Sequence, residues 1–173
     1  MNTLYGKQKQ VADEVANALQ TENPLLKHVA YISGEMGVGK TYMAADIIRQ
    51  LQDSELLTLV ISPKEVTHKW QSVLNGFGVN DVTIFDRKKQ IPHTGVLIIV
   101  DKDLTPAKNE LLQRNINLIV YDEIHKLKPG SKVFENLKAI RKSIDKINEN
   151  TQNNFELKNM MLGFTGTIFV QNI

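Results

Sequence analysis

The segment GEMGVGKT (residues 34–41) constrains this chain more than any other, because few backbones can accommodate it. It follows an apolar run, VAYIS, and precedes Met43, Ile47, Ile48 and Leu51, whose spacing marks a helix. A strand, a glycine-rich wrap and a helix in that order form the context in which backbone amides converge on phosphate oxygens. Gly34, Gly37 and Gly39 let the chain turn tightly, with Val38 inside the wrap. The positive end of the following helix adds to the field. In that setting Lys40 reaches the β- and γ-phosphates of a nucleotide, and the Thr41 hydroxyl completes a Mg²⁺ shell. The bland alternative is a glycine-rich turn that matches by chance, and the flanking strand and helix weigh against it.

The rest of the chain supports an α/β fold. Apolar runs at 29–33, 57–62, 82–85, 96–100, 118–122 and 160–165 read as strands buried on both faces. Helical spacing lies between them: Val11, Val15 and Leu19; then Val66, Trp70 and Val73; then, more weakly, Leu104, Leu111 and Leu112. Val133, Leu137, Ile140, Ile144 and Ile147 form one stripe, which leaves Lys138, Arg141, Lys142 and Lys146 to face solvent. The polar segment NENTQNN (148–154) reads as an exposed loop. Alternating strands and helices predict a mostly parallel sheet with helices on both faces. The 173 residues suit one domain, with 42% hydrophobic and 23% charged residues. No apolar run approaches the roughly 20 residues that span a bilayer, so no membrane partner is expected. The absence of cysteine suits a reducing cytoplasm. A net charge of +2 is too small to identify a nucleic-acid binder by itself.

A second constellation stands in NLIVYDEIH, where Asp122 and Glu123 end an apolar strand. Open α/β sheets gather ligand groups at that end. Adjacent carboxylates repel unless a cation or a chemical task holds them. Asp122 suits a Mg²⁺ shell reached through water, and Glu123 suits polarising an attacking water. A solvated acidic turn is the plain alternative, and the upstream phosphate loop weakens it. Three predicted strands separate Lys40 from Asp122, a separation found in motor-type ATPases more than in small GTPase-like switches.

With these residues in place the chain resembles the first RecA-like lobe of superfamily-two helicases. GEMGVGKT resembles motif I, VISPKEVTHKW motif Ia, DEIH motif II and GFTGT motif III, in the expected order. HKLKPGSK and LGFTGTIFVQN are most similar to the Swi/Snf-related translocases. The resemblance implies a P-loop, RecA-like three-layer fold that binds ATP and Mg²⁺, with Lys40 and Glu123 catalytic. It also implies that Gln8 reads the adenine edge, with Gln10 as the alternative register. Ser62, Pro63 and Lys64 would touch a nucleic-acid backbone, although Lys64 fits a solvated lysine equally well. His125, Thr165 and Thr167 would couple the ATP site to a second lobe. Trp70 matches an aromatic of motif Ia, yet its spacing favours the core.

Two departures stand out: Ile168 replaces a usual proline, and the 148–154 segment looks like an insertion. Nothing resembles motifs IV to VI, so a second RecA-like lobe encoded downstream is the expected partner, together with nucleic acid, double-stranded DNA first. The rivals are the same lobe in a strand-separating helicase or a restriction-system translocase, and a nucleotide-binding module without turnover. Glu123 argues against the last. No Leu-Ser-Gly-Gly-Gln-like segment supports a transporter ATPase.

Overall fold

The computed structural model describes residues 2–21, 28–34, 39–150 and 157–165. Among them are helices α1 (Gly6–Gln20), α2 (Lys40–Leu51), α3 (Thr67–Gly76), α4 (Leu104–Leu111) and α5 (Lys132–Asn150). The strands are β1 (Val29–Ser33), β2 (Leu57–Ser62), β3 (Val82–Ile84), β4 (Gly95–Val100), β5 (Ile116–Tyr121) and β6 (Met160–Thr165). They form one sheet in the order β1-β6-β5-β2-β4-β3, and every neighbouring pair is parallel. The expected α/β sheet with helices on both faces is therefore present, wholly rather than mostly parallel among the described residues.

Alternation along each strand divides the apolar residues between two cores. Val60, Ile98, Val120, Leu162 and Phe164 face α1, α2 and α3. Leu59, Ile61, Ile99, Ile119 and Met161 face α4 and α5. One irregularity restores the alternation on β5. The register against β2 shifts between Leu57 and Thr58, so Asn117 is an extra residue and Ile116 shares a face with Ile119. On α5 the stripe works as read: Leu137, Ile140 and Ile144 are buried, each worth about 1.5–3 kcal/mol.

Three details differ from the sequence reading. The acidic strand ends at Tyr121, which leaves Asp122 as the first residue beyond it. Helix α5 runs through Asn148 to Asn150, so the polar segment begins as helix. There the Asn148 side chain exchanges two hydrogen bonds with the backbone of Leu157, at 2.7 and 2.8 Å. Residues 151–154 of that segment lie outside the described residues. Arg141 does not face solvent. Its guanidinium donates to the Asn159 side-chain oxygen at 3.2 Å and to the Asn159 carbonyl at 3.1 Å. Burial draws its pKa down, and the charge of Asp145 opposes that. The flank of the stripe meets the chain entering β6, where Asn159 adopts a left-handed φ of 51°. Lys138, Lys142 and Lys146 are exposed as expected.

A polar cluster ties α1 to α2. Asp46 is only 2% exposed, yet it accepts hydrogen bonds from Arg49 at 2.7 Å, Gln50 at 2.8 Å and Lys9 of α1 at 3.2 Å. Lys9 and Gln50 also reach Asp13, at 2.6 and 2.9 Å. Burial pushes the Asp46 carboxyl up, but its donors outweigh that and hold the pKa below the usual value. A depressed folded-state pKa contributes stability above the unfolded value of about 3.9 and loses it as pH falls through the folded one. Asp46→Asn should therefore lower stability at neutral pH by about 1–2 kcal/mol. It should also flatten the acid limb of the stability curve. Urea denaturation between neutral and strongly acid pH measures both, and parallel curves for variant and wild type would refute the assignment.

Candidate active site

Parallel pairing places the carboxyl ends of β1, β6, β5 and β2 side by side, and the motif residues follow those ends. The phosphate loop leaves β1 at Gly34, whose amide donates to the Thr165 carbonyl at the end of β6, at 3.2 Å. Asp122 leaves β5, and its amide donates to the Ile61 carbonyl of β2 at 2.9 Å. Ser62 ends β2, and Pro63 and Lys64 follow it.

Of the loop, Gly34 and Gly39 are described, while Gly37 and Val38 lie outside the described residues, as does Thr167 beyond β6. Gly39 caps α2 with φ 78° and ψ 31°, a left-handed conformation that suits glycine. It also lies against the N-terminal helix, since a Cβ there would stand 2.6 Å from Nε2 of Gln8. Of the two glutamines on α1, Gln8 is the one beside Gly39, whereas Gln10 pairs with Glu14 at 3.1 Å. The Lys40 ammonium crosses the loop to the Gly34 carbonyl, 2.9 Å away, and Thr41 is half-buried in the first turn of α2.

The two carboxylates occupy different environments. Asp122 is held from below by the indole of Trp70, whose Nε1 donates to Oδ2 at 3.1 Å. Burial pushes its pKa up against that hydrogen bond, the neighbouring Glu123 charge adds to the rise, and Lys40 works against it. Glu123 has left-handed backbone angles, φ 59° and ψ 47°. For a non-glycine residue this stores about 1–3 kcal/mol of strain. Its Oε2 is shut off from solvent without an aligned hydrogen-bond donor, although the Lys126 ammonium lies 2.5 Å away as an ion pair.

The turn that follows carries His125, whose Nδ1 lies 3.3 Å from the Thr165 hydroxyl on β6. Gly163 makes that approach feasible. A Cβ there would stand 2.6 Å from Cδ1 of Ile124 and 2.9 Å from Cδ1 of Tyr31. Ser62 is buried at the foot of a cleft of about 290 Å³, with its hydroxyl turned to the Pro63 carbonyl, while Lys64 is exposed at the rim.

Sequence reasoning had treated Trp70 as a core residue. It is buried, at 1% exposure, and it is also the donor to Asp122. A buried indole N–H needs an acceptor, and that rule could have pointed to it. The roles of Gly163 and Lys126 depend on distances that spacing does not encode.

A loop of this kind between β1 and α2, with an acidic pair after β5, defines a P-loop ATPase lobe of the RecA-like class. The profile of the family described as "Type III restriction enzyme, res subunit" matches residues 2–170. The chain belongs to that family and is the first RecA-like lobe of a superfamily-two helicase. It is 32% identical over 146 residues to a protein of Acanthamoeba polyphaga mimivirus provisionally named as an ATP-dependent RNA helicase. That alignment covers 73% of this chain and 26% of the mimivirus protein. The Sulfolobus solfataricus SWI2/SNF2 ATPase core, solved in complex with dsDNA, shares the fold at 16% identity with a TM-score of 0.71. That match covers 96% of this chain and 32% of the other. The chain thus spans roughly a quarter to a third of these relatives. No helix among the described residues is long and apolar enough to cross a membrane.

The contact at Gly163 is testable by a double-mutant cycle. Gly163→Ala should cost about 1–3 kcal/mol through overpacking against Ile124. In an Ile124→Ala background the added methyl has room, so its cost should fall and leave a coupling of at least about 0.5 kcal/mol. Chemical denaturation of the four proteins reads this out, and strictly additive costs would mean that the two residues do not meet.

Proposed function

We propose that this lobe binds Mg²⁺·ATP and hydrolyses it as one half of a two-lobed motor that moves on nucleic acid, most readily duplex DNA. One observation carries the reading: the phosphate loop, Asp122, Glu123 and the His125–Thr165 contact share one edge of the sheet, on adjacent strands. The residues fit a triphosphate and its cation. Gly39 has the left-handed turn that such a wrap requires, the Lys40 ammonium reaches the Gly34 carbonyl, and Asp122 is a half-buried carboxylate beside a second one. Gly34, Gly37, Val38, Gly39 and Lys40 would cradle the phosphates, Gln8 the adenine edge, and Thr41 and Asp122 the cation through hydroxyl and water. Bound Mg²⁺ would supply positive charge to the β- and γ-phosphates.

Within that frame Lys40 neutralises charge on the γ-phosphate as the bond to it breaks. The Glu123 carboxylate accepts a hydrogen bond from the attacking water and holds it in line. Trp70 fixes Asp122 so that its second oxygen stays available to the cation's water. His125 and Thr165 transmit the state of the site to β6, with Thr167 beyond. Ser62 shapes the cleft, and Pro63 and Lys64 offer a sequence-independent contact to a phosphodiester backbone. The SWI2/SNF2 relative, solved with dsDNA, supports duplex DNA. The name of the mimivirus relative favours RNA as the second reading, and turnover compared on duplex DNA and RNA separates the two.

Lys40→Ala should abolish ATP binding in calorimetry while leaving the circular dichroism spectrum unchanged. Glu123→Gln should retain ATP affinity and lose turnover, because the amide keeps the shape but accepts hydrogen bonds weakly. Normal affinity in the first variant, or normal turnover in the second, would sink these roles.

The resemblance to two-lobed motors implies that arginines of a second lobe close on the γ-phosphate, worth about 10³–10⁵ in rate at related sites. Residues 1–173 alone should therefore release phosphate barely above background, with or without duplex DNA. Joined to the second lobe they should become DNA-dependent. Strong DNA-stimulated release by residues 1–173 alone would contradict the two-lobe reading.

A further inference from the structure

Lys126 stands on the turn after the acidic pair, with its ammonium 2.5 Å from Oε2 of Glu123. That oxygen is enclosed and has no aligned hydrogen-bond donor, so the ion pair fixes where the carboxylate points. The lysine side chain is otherwise open to solvent, at 62% exposure. Its ammonium also feels the charges of Glu65 and Asp101 on the facing wall, after Glu123 itself. All four groups line the 290 Å³ cleft, as do Lys64 and Lys102. One largely exposed cation therefore sits between the carboxylate proposed to orient water and a cleft that opens beside the segment after β2.

An ammonium on a carboxylate occupies the lone pair that a water would use. An exposed pair of this kind is weak and readily exchanged. A phosphodiester chain brings one negative charge per nucleotide and recruits lysines by displacing counterions. We propose that Lys126 is a positioning residue that restrains Glu123 in the absence of nucleic acid. A phosphate backbone seated along Lys64 and Lys102 draws the ammonium away and frees Glu123 to engage water. Nucleic acid then stimulates turnover through a charge exchange inside this lobe, in addition to any closure of a second lobe. This inference rests on the assignment of Glu123 made above.

The test uses the full-length protein carrying both lobes, with Lys126→Gln and Lys126→Arg, assayed for ATP turnover without nucleic acid and with saturating duplex DNA. Lys126→Gln should raise the DNA-free rate roughly two- to fivefold, the scale set by an exposed ion pair. It should leave the saturated rate nearly unchanged, so the stimulation ratio falls. Lys126→Arg keeps the cation and should keep the ratio. A DNA-free rate that stays level or drops in Lys126→Gln overturns the proposal, since the lysine would then be neutral or supportive. The wild type and Glu123→Gln run beside these variants. Wild-type turnover that survives Glu123→Gln removes the underlying assignment and this inference together. An intact Glu123 requirement with an unchanged Lys126→Gln ratio removes this inference alone.

Discussion

Everything that gives this lobe its chemistry depends on β6 pairing in parallel between β1 and β5. Val29 to Ser33 register against Met161 to Thr165, and Leu118 to Tyr121 against Met160 to Gly163. Those ladders bring together segments far apart in sequence and align their carboxyl ends, so the phosphate loop and the acidic pair face one space. The amide of Gly34 on the Thr165 carbonyl closes the junction. An antiparallel strand in the same slot would deliver Thr165 and its partner His125 to opposite edges of the sheet.

Much of this was legible in the residues. The strands were visible as apolar runs because both faces of a parallel sheet are covered, and α5 because its stripe is regular. The loop was legible because glycines flanked by strand and helix have few other uses. What escaped was set by approach rather than by period. Arg141 lay off the stripe and so read as solvated, but position on a helix says nothing of the chain packed across its flank. Which of Gln8 and Gln10 lies against Gly39 could not be read until α1 was placed. Asn117 disturbs the alternation of β5 by one residue, a change too small to detect in a strand that is apolar on both faces.

The acidic pair shows how neighbouring residues of one chemical type are made to differ. Asp122 is half-buried and receives a directed hydrogen bond from Trp70, a residue whose packing already belongs to the core. Glu123 follows with a left-handed backbone and meets the solvent-exposed ammonium of Lys126 instead. A fixed carboxylate suits holding a cation in one place, and a loosely paired one suits a task that begins and ends with each cycle. The fold reaches that division with a single left-handed residue.

The docking of α1 has a consequence for how such a lobe can diversify. The helix lies outside the sheet, and its tie to α2 runs through Lys9, Asp13, Asp46 and Gln50 beside a small apolar contact built on Ala12, Ala16 and Leu19. Gln8 is carried on that separate piece, while the phosphate-binding groups are carried by the sheet and α2. Under the roles proposed for these residues, discrimination among nucleobases and grip on the triphosphate would reside on different mechanical parts. In that assignment, lineages could retune the first by exchanging residues on one face of α1 and leave the second untouched, and base preference would then be free to drift faster than the hydrolytic apparatus it serves.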